Sequence, residues 1–142
     1  MYRKILIALD NGPADAAVVP HVTKLAAHFG SEILLLHVAD GFAARCFDSL
    51  KLTESEEMKA DLAYLEKVAN ELRAKKLSVA IKLALGNPPT EILKAAKSEG
   101  CDLIALAGHG HRLFGDIFHG STITEVRHKT EIPLLVVRAK KK

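Results

Sequence analysis

Short apolar runs alternate with stretches in which apolar residues recur every three or four positions, from one end of the chain to the other. KILIALD, residues 4–10, has the unbroken Ile and Leu content of a buried strand. Asn11-Gly12-Pro13 follows as a turn. Val18, Val22, Leu25, Ala26 and Phe29 then mark one face of a helix that Gly30 ends. Pro20 lies inside that pattern and predicts a helix that starts late or kinks there. EILLLHV, residues 32–38, is a second buried strand, in which His37 reads as a hydrogen-bonded interior or strand-end residue.

No period holds from Ala39 to about Leu52. Thr53-Glu54-Ser55-Glu56 opens a helical pattern carried by Met58, Leu62, Leu65, Ala69 and Leu72, with acids first and Lys75-Lys76 last, as the helix dipole prefers. LSVAIKLAL, residues 77–85, partly alternates and predicts a third strand. Asn87 and Pro88 suit the N-cap and first position of a helix whose apolar face is Ile92, Leu93 and Ala96, and which stops at Gly100. DLIALA, residues 102–107, is a fourth strand. A glycine-rich segment leads to a short helix from Thr122 to about Thr130, and Pro133 opens an edge strand, PLLVVR.

Strands that alternate with helices need crossover connections, so the fold class expected is α/β. One domain, residues 1–142, would hold a doubly wound, five-stranded parallel sheet with helices on both faces. Such sheets take ligands beyond the carboxyl ends of their strands, where strand order reverses. Asp10, Val38 and the glycine-rich segment after strand four all fall at that edge.

Composition adds little to this picture. Hydrophobic residues are 49% and charged residues 26% of the 142, a globular balance. The formal charge of +3 resides in Lys140, Lys141 and Lys142, and without this tail acids and bases balance, which leaves no nucleic-acid footprint. The start runs directly into a strand and lacks the pattern of a signal peptide; no apolar run has membrane-spanning length. Cys46 and Cys101 have no CxxC spacing. A cytoplasmic protein is expected, with Cys101 an inert core thiol and Cys46 exposed to oxidation.

The chemistry concentrates in AGHGHRLFGDIFHGST, residues 107–122, which holds four of the nine glycines. Such clustering fits a phosphate cradle, a metal site or a flexible loop. A P-loop fails, because Asp116-Ile117 stand where Lys and Ser/Thr must be. The dinucleotide fingerprint fails at Leu113. His109, His111 and His119 are the candidates for a metal, although only Asp116 in the segment adds a carboxylate; no metal ligand is assigned.

A third pattern fits. Gly110, nine residues and then Gly120-Ser121 match the end of the G-x-x-G-(nine residues)-G-[ST] signature of the universal stress proteins. RKILIALD, LLHV, GNPPTEIL, DLIALAGHG and EIPLLVVR resemble further segments of that family, so the likeness covers nearly the whole chain. The resemblance implies a Rossmann-like, ATP-binding domain, a homodimer paired through the last strand. It further implies a nucleotide-responsive stress or regulatory module, with Mg²⁺ accompanying ATP or another adenine nucleotide.

Carried over residue by residue, Ala8, Asp10 and Val38 lie at the nucleoside. Leu106, Ala107, Gly108 and Gly110 line the phosphate turn, Arg112 adds charge, and Gly120, Ser121, Thr122 and Ile123 hold the phosphates at the start of the last helix. Thr122 and Glu125 also have the spacing of a capping box. One position departs from the signature: its first glycine falls on Ala107. A methyl is accommodated there if the position needs only to be small, and strained if it needs a positive φ. Two alternatives stay open, a nucleotide-free dimeric interaction protein of the same fold and a slow ATPase.

Overall fold

A computed structural model describes residues 1–40, 51–109 and 120–139. The chain runs β1 (Lys4–Leu9), α1 (Asp15–Phe29), β2 (Glu32–Asp40), α2 (Lys51–Arg73), β3 (Ser78–Gly86), α3 (Pro88–Ser98), β4 (Leu103–His109), α4 (Gly120–Lys129) and β5 (Leu134–Ala139). The sheet order is β3-β2-β1-β4-β5 and every pairing is parallel. This is the expected five-stranded doubly wound α/β arrangement.

Alternation of the strand residues splits the core into two layers. Ile5, Ile7, Leu9, Ile33 and Leu35 meet Val18, Val22 and Ala26 of α1 and Leu65, Val68, Ala69 and Leu72 of α2. Leu6, Ala8, Leu34, Leu36, Val38, Ile104 and Leu106 meet Ile92, Ala95 and Ala96 of α3 and Val126 of α4. Both sheet faces are therefore dry, which is why the central strands read as continuous apolar runs rather than as alternations.

The described elements depart from the sequence expectations in places with physical causes. Helix α1 begins five residues before Pro20 and continues through it. Pro20 and Ala16 are both exposed, so water can reach the Ala16 carbonyl that the missing Pro20 N–H leaves unpaired. Leu62 belongs to the solvent side of α2, 42% exposed, and Val68 takes a core place instead. Strand β4 runs two residues past its expected end at Ala107, to His109, and α4 starts at Gly120 rather than Thr122. Gly30 ends α1 as expected, in the left-handed conformation at φ 69° that an L side chain resists.

Candidate functional site

The two central strands part at their carboxyl ends. The ladder between β1 and β4 joins Ile5–Ile7 to Leu103–Ala105 and stops, although β1 continues to Leu9 and β4 to His109. Beyond that point β1 pairs only with β2, up to Leu9 opposite His37, and β4 only with β5, up to His109 opposite Ala139. Strand order reverses at this place, because β1 leads away to β2 while the crossover through α3 returns the chain to β4 on the other side. A crevice between diverging parallel strands is where such sheets bind ligands.

One wall is apolar. Ala8, Val38 and Leu106, from β1, β2 and β4, all lie on the α3/α4 face and are buried. Ala107 points the other way, into the α1/α2 layer. It lies in regular strand pairing opposite Val137 and is not among the residues with positive φ, so its methyl is unstrained where the family signature has glycine.

At the end of β1 the backbone is held by side chains from three elements. Asp10 Oδ1 accepts the Gly12 N–H at 2.9 Å, an Asx turn that folds the carboxylate over its own loop. Asp15, the first residue of α1, accepts the Asp10 N–H on Oδ1 at 3.1 Å and the Asn11 N–H on Oδ2 at 3.0 Å. Tyr64 of α2 donates to the same Oδ2 at 2.9 Å. Asn11 sits at φ 58°, a conformation Asn tolerates better than most residues, and its Nδ2 donates to Asp61 Oδ1 at 2.9 Å. His37 Nδ1 lies 2.9 Å from the Leu9 carbonyl, its Nε2 3.5 Å from Asp61 Oδ2, which makes it the hydrogen-bonded strand-end residue expected.

The electrostatics follow from burial. Asp15 is only 3% exposed. Desolvation and then the neighbouring Asp10 charge push its carboxyl up to about 7, against the donors on its oxygens. The Tyr64 phenol is held protonated well above its ordinary value by burial and by the Asp15 charge, so it remains a donor. Cys101 is a buried thiol pushed up to about 11 by desolvation, inert as expected.

The other end of the crevice is formed by β4 and α4. A Cβ built on Gly108 would lie 3.9 Å from Ile123 Cδ1, so the first turn of α4 stands against the exit of β4. Thr122 is buried there. The first N–H groups of this helix have no partner within it, its first turn carries no acid, and Arg127, His128 and Lys129 occupy its last turn. Glu125 pairs with Lys129 at 3.4 Å, and Thr122 lies inside α4, two residues past its start, rather than at an N-cap. Gly110, Arg112, His111, Asp116, His119 and Cys46 lie outside the described residues, as do the side chains of His109 and Ser121. Among the described residues no three His, Cys, Asp or Glu side chains are grouped to hold a metal ion, and no helix is long and apolar enough to cross a membrane.

The fold recurs in proteins of known kinship. A profile described as the Universal stress protein family matches residues 1–138. This chain belongs to the universal stress protein family. It is 29% identical to universal stress protein MJ0577 of Methanocaldococcus jannaschii, over 99% of this chain and 97% of that one. The solved structure of MJ0577 superposes with a TM-score of 0.77 and covers 100% of this chain and 99% of its own. UspA of Lactobacillus plantarum, 20% identical, superposes at 0.81 and covers 96% of this chain and 98% of its own. A universal stress protein of Archaeoglobus fulgidus in complex with dAMP, also 20% identical, gives 0.66 with coverages of 96% and 98%. At such identities the last two show the shared fold.

Proposed function

We propose that this protein binds an adenine nucleotide, ATP, in the crevice between β1 and β4 and serves as a nucleotide-responsive regulatory module. Asp10 takes the ribose or the base edge, Ala8, Val38 and Leu106 wall the base, and the exit of β4 with the start of α4 takes the phosphates. Within the phosphate end the assignments are Ala107, Gly108, Gly110, Arg112, Gly120, Ser121, Thr122 and Ile123. The observation that carries this reading is the approach of Ile123 to Gly108, which sets the first turn of a helix, the positive end of its dipole, beside the last residues of β4 at a position with no side chain. Family membership and the dAMP complex of the Archaeoglobus fulgidus relative support the choice of an adenine nucleotide.

The residues fit the ligand chemistry. A buried apolar wall suits a purine, a carboxylate that accepts suits ribose hydroxyls, and backbone donors suit a polyanion. The described part of the α4 start offers no carboxylate in its first turn, so Mg²⁺ would be held by phosphate oxygens and water rather than by that turn. Ala107 is no obstacle, since its side chain faces the opposite layer.

A second copy of the chain is the partner we propose, paired through β5. The strand is bonded to β4 on one side only and presents half-buried Leu134, Leu135 and Val137 with exposed Val136.

The direct test is mass spectrometry of small molecules released from the denatured protein, with calorimetry of ATP and Mg²⁺ on the emptied protein. The expected result is an adenine nucleotide in the release and saturable binding that Gly120→Val abolishes. No heat at millimolar ATP would overturn the reading.

A further inference from the structure

We infer that Asp61 of α2 is a positioning residue for the nucleoside end of the crevice. Its two carboxylate oxygens reach the residues on either side of Asp10, Asn11 directly and Leu9 through His37, and so hold Asp10 in the pose that receives ribose. This rests on the proposal that Asp10 meets the nucleoside.

Asp10 hangs between two peptide planes, and each is held from outside β1. In the first, the Leu9 carbonyl lies 2.9 Å from His37 Nδ1, and the Asp10 N–H donates to Asp15 Oδ1 at 3.1 Å. A carbonyl only accepts, so Nδ1 carries the hydrogen of that bond. Asp61 Oδ2 stands 3.5 Å from Nε2 of the same buried ring. In the second plane the Asn11 N–H donates to Asp15 Oδ2 at 3.0 Å, while the Asn11 side chain donates to Asp61 Oδ1 at 2.9 Å. A peptide unit is planar, so fixing the unit before Asp10 and the unit after it fixes both of its backbone angles. The direction in which its carboxylate leaves the chain follows from them.

Asp61 also decides how Asn11 lies. A carboxylate only accepts, so the nitrogen of the Asn11 amide must face it, and Asn11 Oδ1 is left buried with no hydrogen-bond partner. No bond from that oxygen substitutes for the one to Asp61. Asn11 sits at φ 58°, where a side chain is tolerated at a cost, and the bond to Asp61 offsets part of it at the turn from β1 to α1. Helix α2 is a firm base for this tie, since Leu65, Val68, Ala69 and Leu72 anchor it in the core. Tyr64 reinforces the same loop by donating to Asp15. The Asp61 side chain itself is 27% exposed, so removing it opens no core cavity.

The test compares wild type with Asp61→Ala, which loses both ties, and Asp61→Asn, which keeps an oxygen for Asn11 and offers a nitrogen to the His37 ring. In the ligand-free protein, amide hydrogen exchange at Asp10, Asn11 and Gly12 is expected to speed up about five- to thirtyfold in Asp61→Ala, the effect of losing one partly solvated hydrogen bond, and to stay near wild type in Asp61→Asn. Exchange at Lys4, held by Asp102 at the other end of β1, should not change in either, which separates loss of position from general loosening. ATP affinity by calorimetry should weaken by a similar factor in Asp61→Ala and be restored in Asp61→Asn. Wild-type affinity in Asp61→Ala overturns the inference, as does a loss equally large in Asp61→Asn or an acceleration shared by Lys4. Absence of ATP binding in all three proteins removes the nucleotide reading instead. The exchange rates then decide by themselves whether Asp61 holds the loop, and wild-type rates in Asp61→Ala would overturn that too.

Discussion

Gly108 in β4 lies beneath the side chain of Val136 in β5: a Cβ on the glycine would stand 2.6 Å from Val136 Cγ1, closer than real Cβ atoms approach. The glycine is required by this contact and not by its φ, which lies outside the left-handed region. Gly108→Ala should therefore destabilise the protein by about 1–3 kcal/mol, the cost of overpacking. Val136→Ala removes the obstructing methyl, so the double variant should recover most of the loss. Urea denaturation of the four proteins of the cycle checks this, and additive losses would show that the clash is relieved elsewhere.

Ala107, one residue earlier, obeys a different rule. Its methyl is part of the α1/α2 layer and its backbone is ordinary strand. Restoring the signature glycine with Ala107→Gly should cost about 0.5–1 kcal/mol, from the freedom glycine gains in the unfolded chain and the buried methyl lost. ATP affinity should not rise. Calorimetry of the variant showing binding enhanced tenfold would mean that the family glycine serves the phosphates directly.

The order of strands and helices was legible because each buried strand is apolar on both faces and each helix is bounded by Gly, Pro or a charge bias. Asp10 was legible as the acid at the end of the first such run. The network behind it was not. Asp61 and Tyr64, three apart on α2, lie outside the apolar spacing that marks this helix, and only the approach of α2 to a loop some fifty residues earlier turns them into partners of Asn11 and Asp15. Spacing alone puts Leu62 in the core, whereas the helix is rotated to bury Val68. The expected helix from Thr122 begins two residues earlier, at Gly120.

Asp102 ties the start of β4 to the start of β1 through a carboxylate that accepts the N–H groups of Arg3 at 2.8 Å and Lys4 at 3.0 Å. Burial pushes its carboxyl up, but those two donors and its own N–H outweigh that and hold it below the usual carboxylate range. With the folded value depressed, its stabilisation is present above the unfolded value of about 3.9 and is lost as pH falls through the folded one. Asp102→Ala should lower stability at pH 7 by about 1–2 kcal/mol, at the low end for charged hydrogen bonds because the site is near solvent. The gap from wild type should narrow by pH 3 as the wild-type carboxylate is protonated. Urea denaturation at the two pH values checks it, and an equal gap at both would mean that the side chain acts by packing alone.

Strand β5 gives the last prediction. One of its edges is bonded to β4, and Val136 on it is 46% exposed among partly buried Leu134, Leu135 and Val137. A six-residue edge strand, apolar from Leu134 to Val137, is a template for another strand, and two copies related by a two-fold axis would satisfy it with the same residues on both sides. Val136→Lys places a charge on that edge and, through the axis, a like charge on the facing copy, while costing the monomer little because the position is half open to water. Sedimentation velocity should show wild type as a dimer and Val136→Lys as a monomer with an unchanged circular dichroism spectrum. A variant that still sediments as a dimer would move the subunit contact to another face, and a monomeric wild type would leave the edge unpaired.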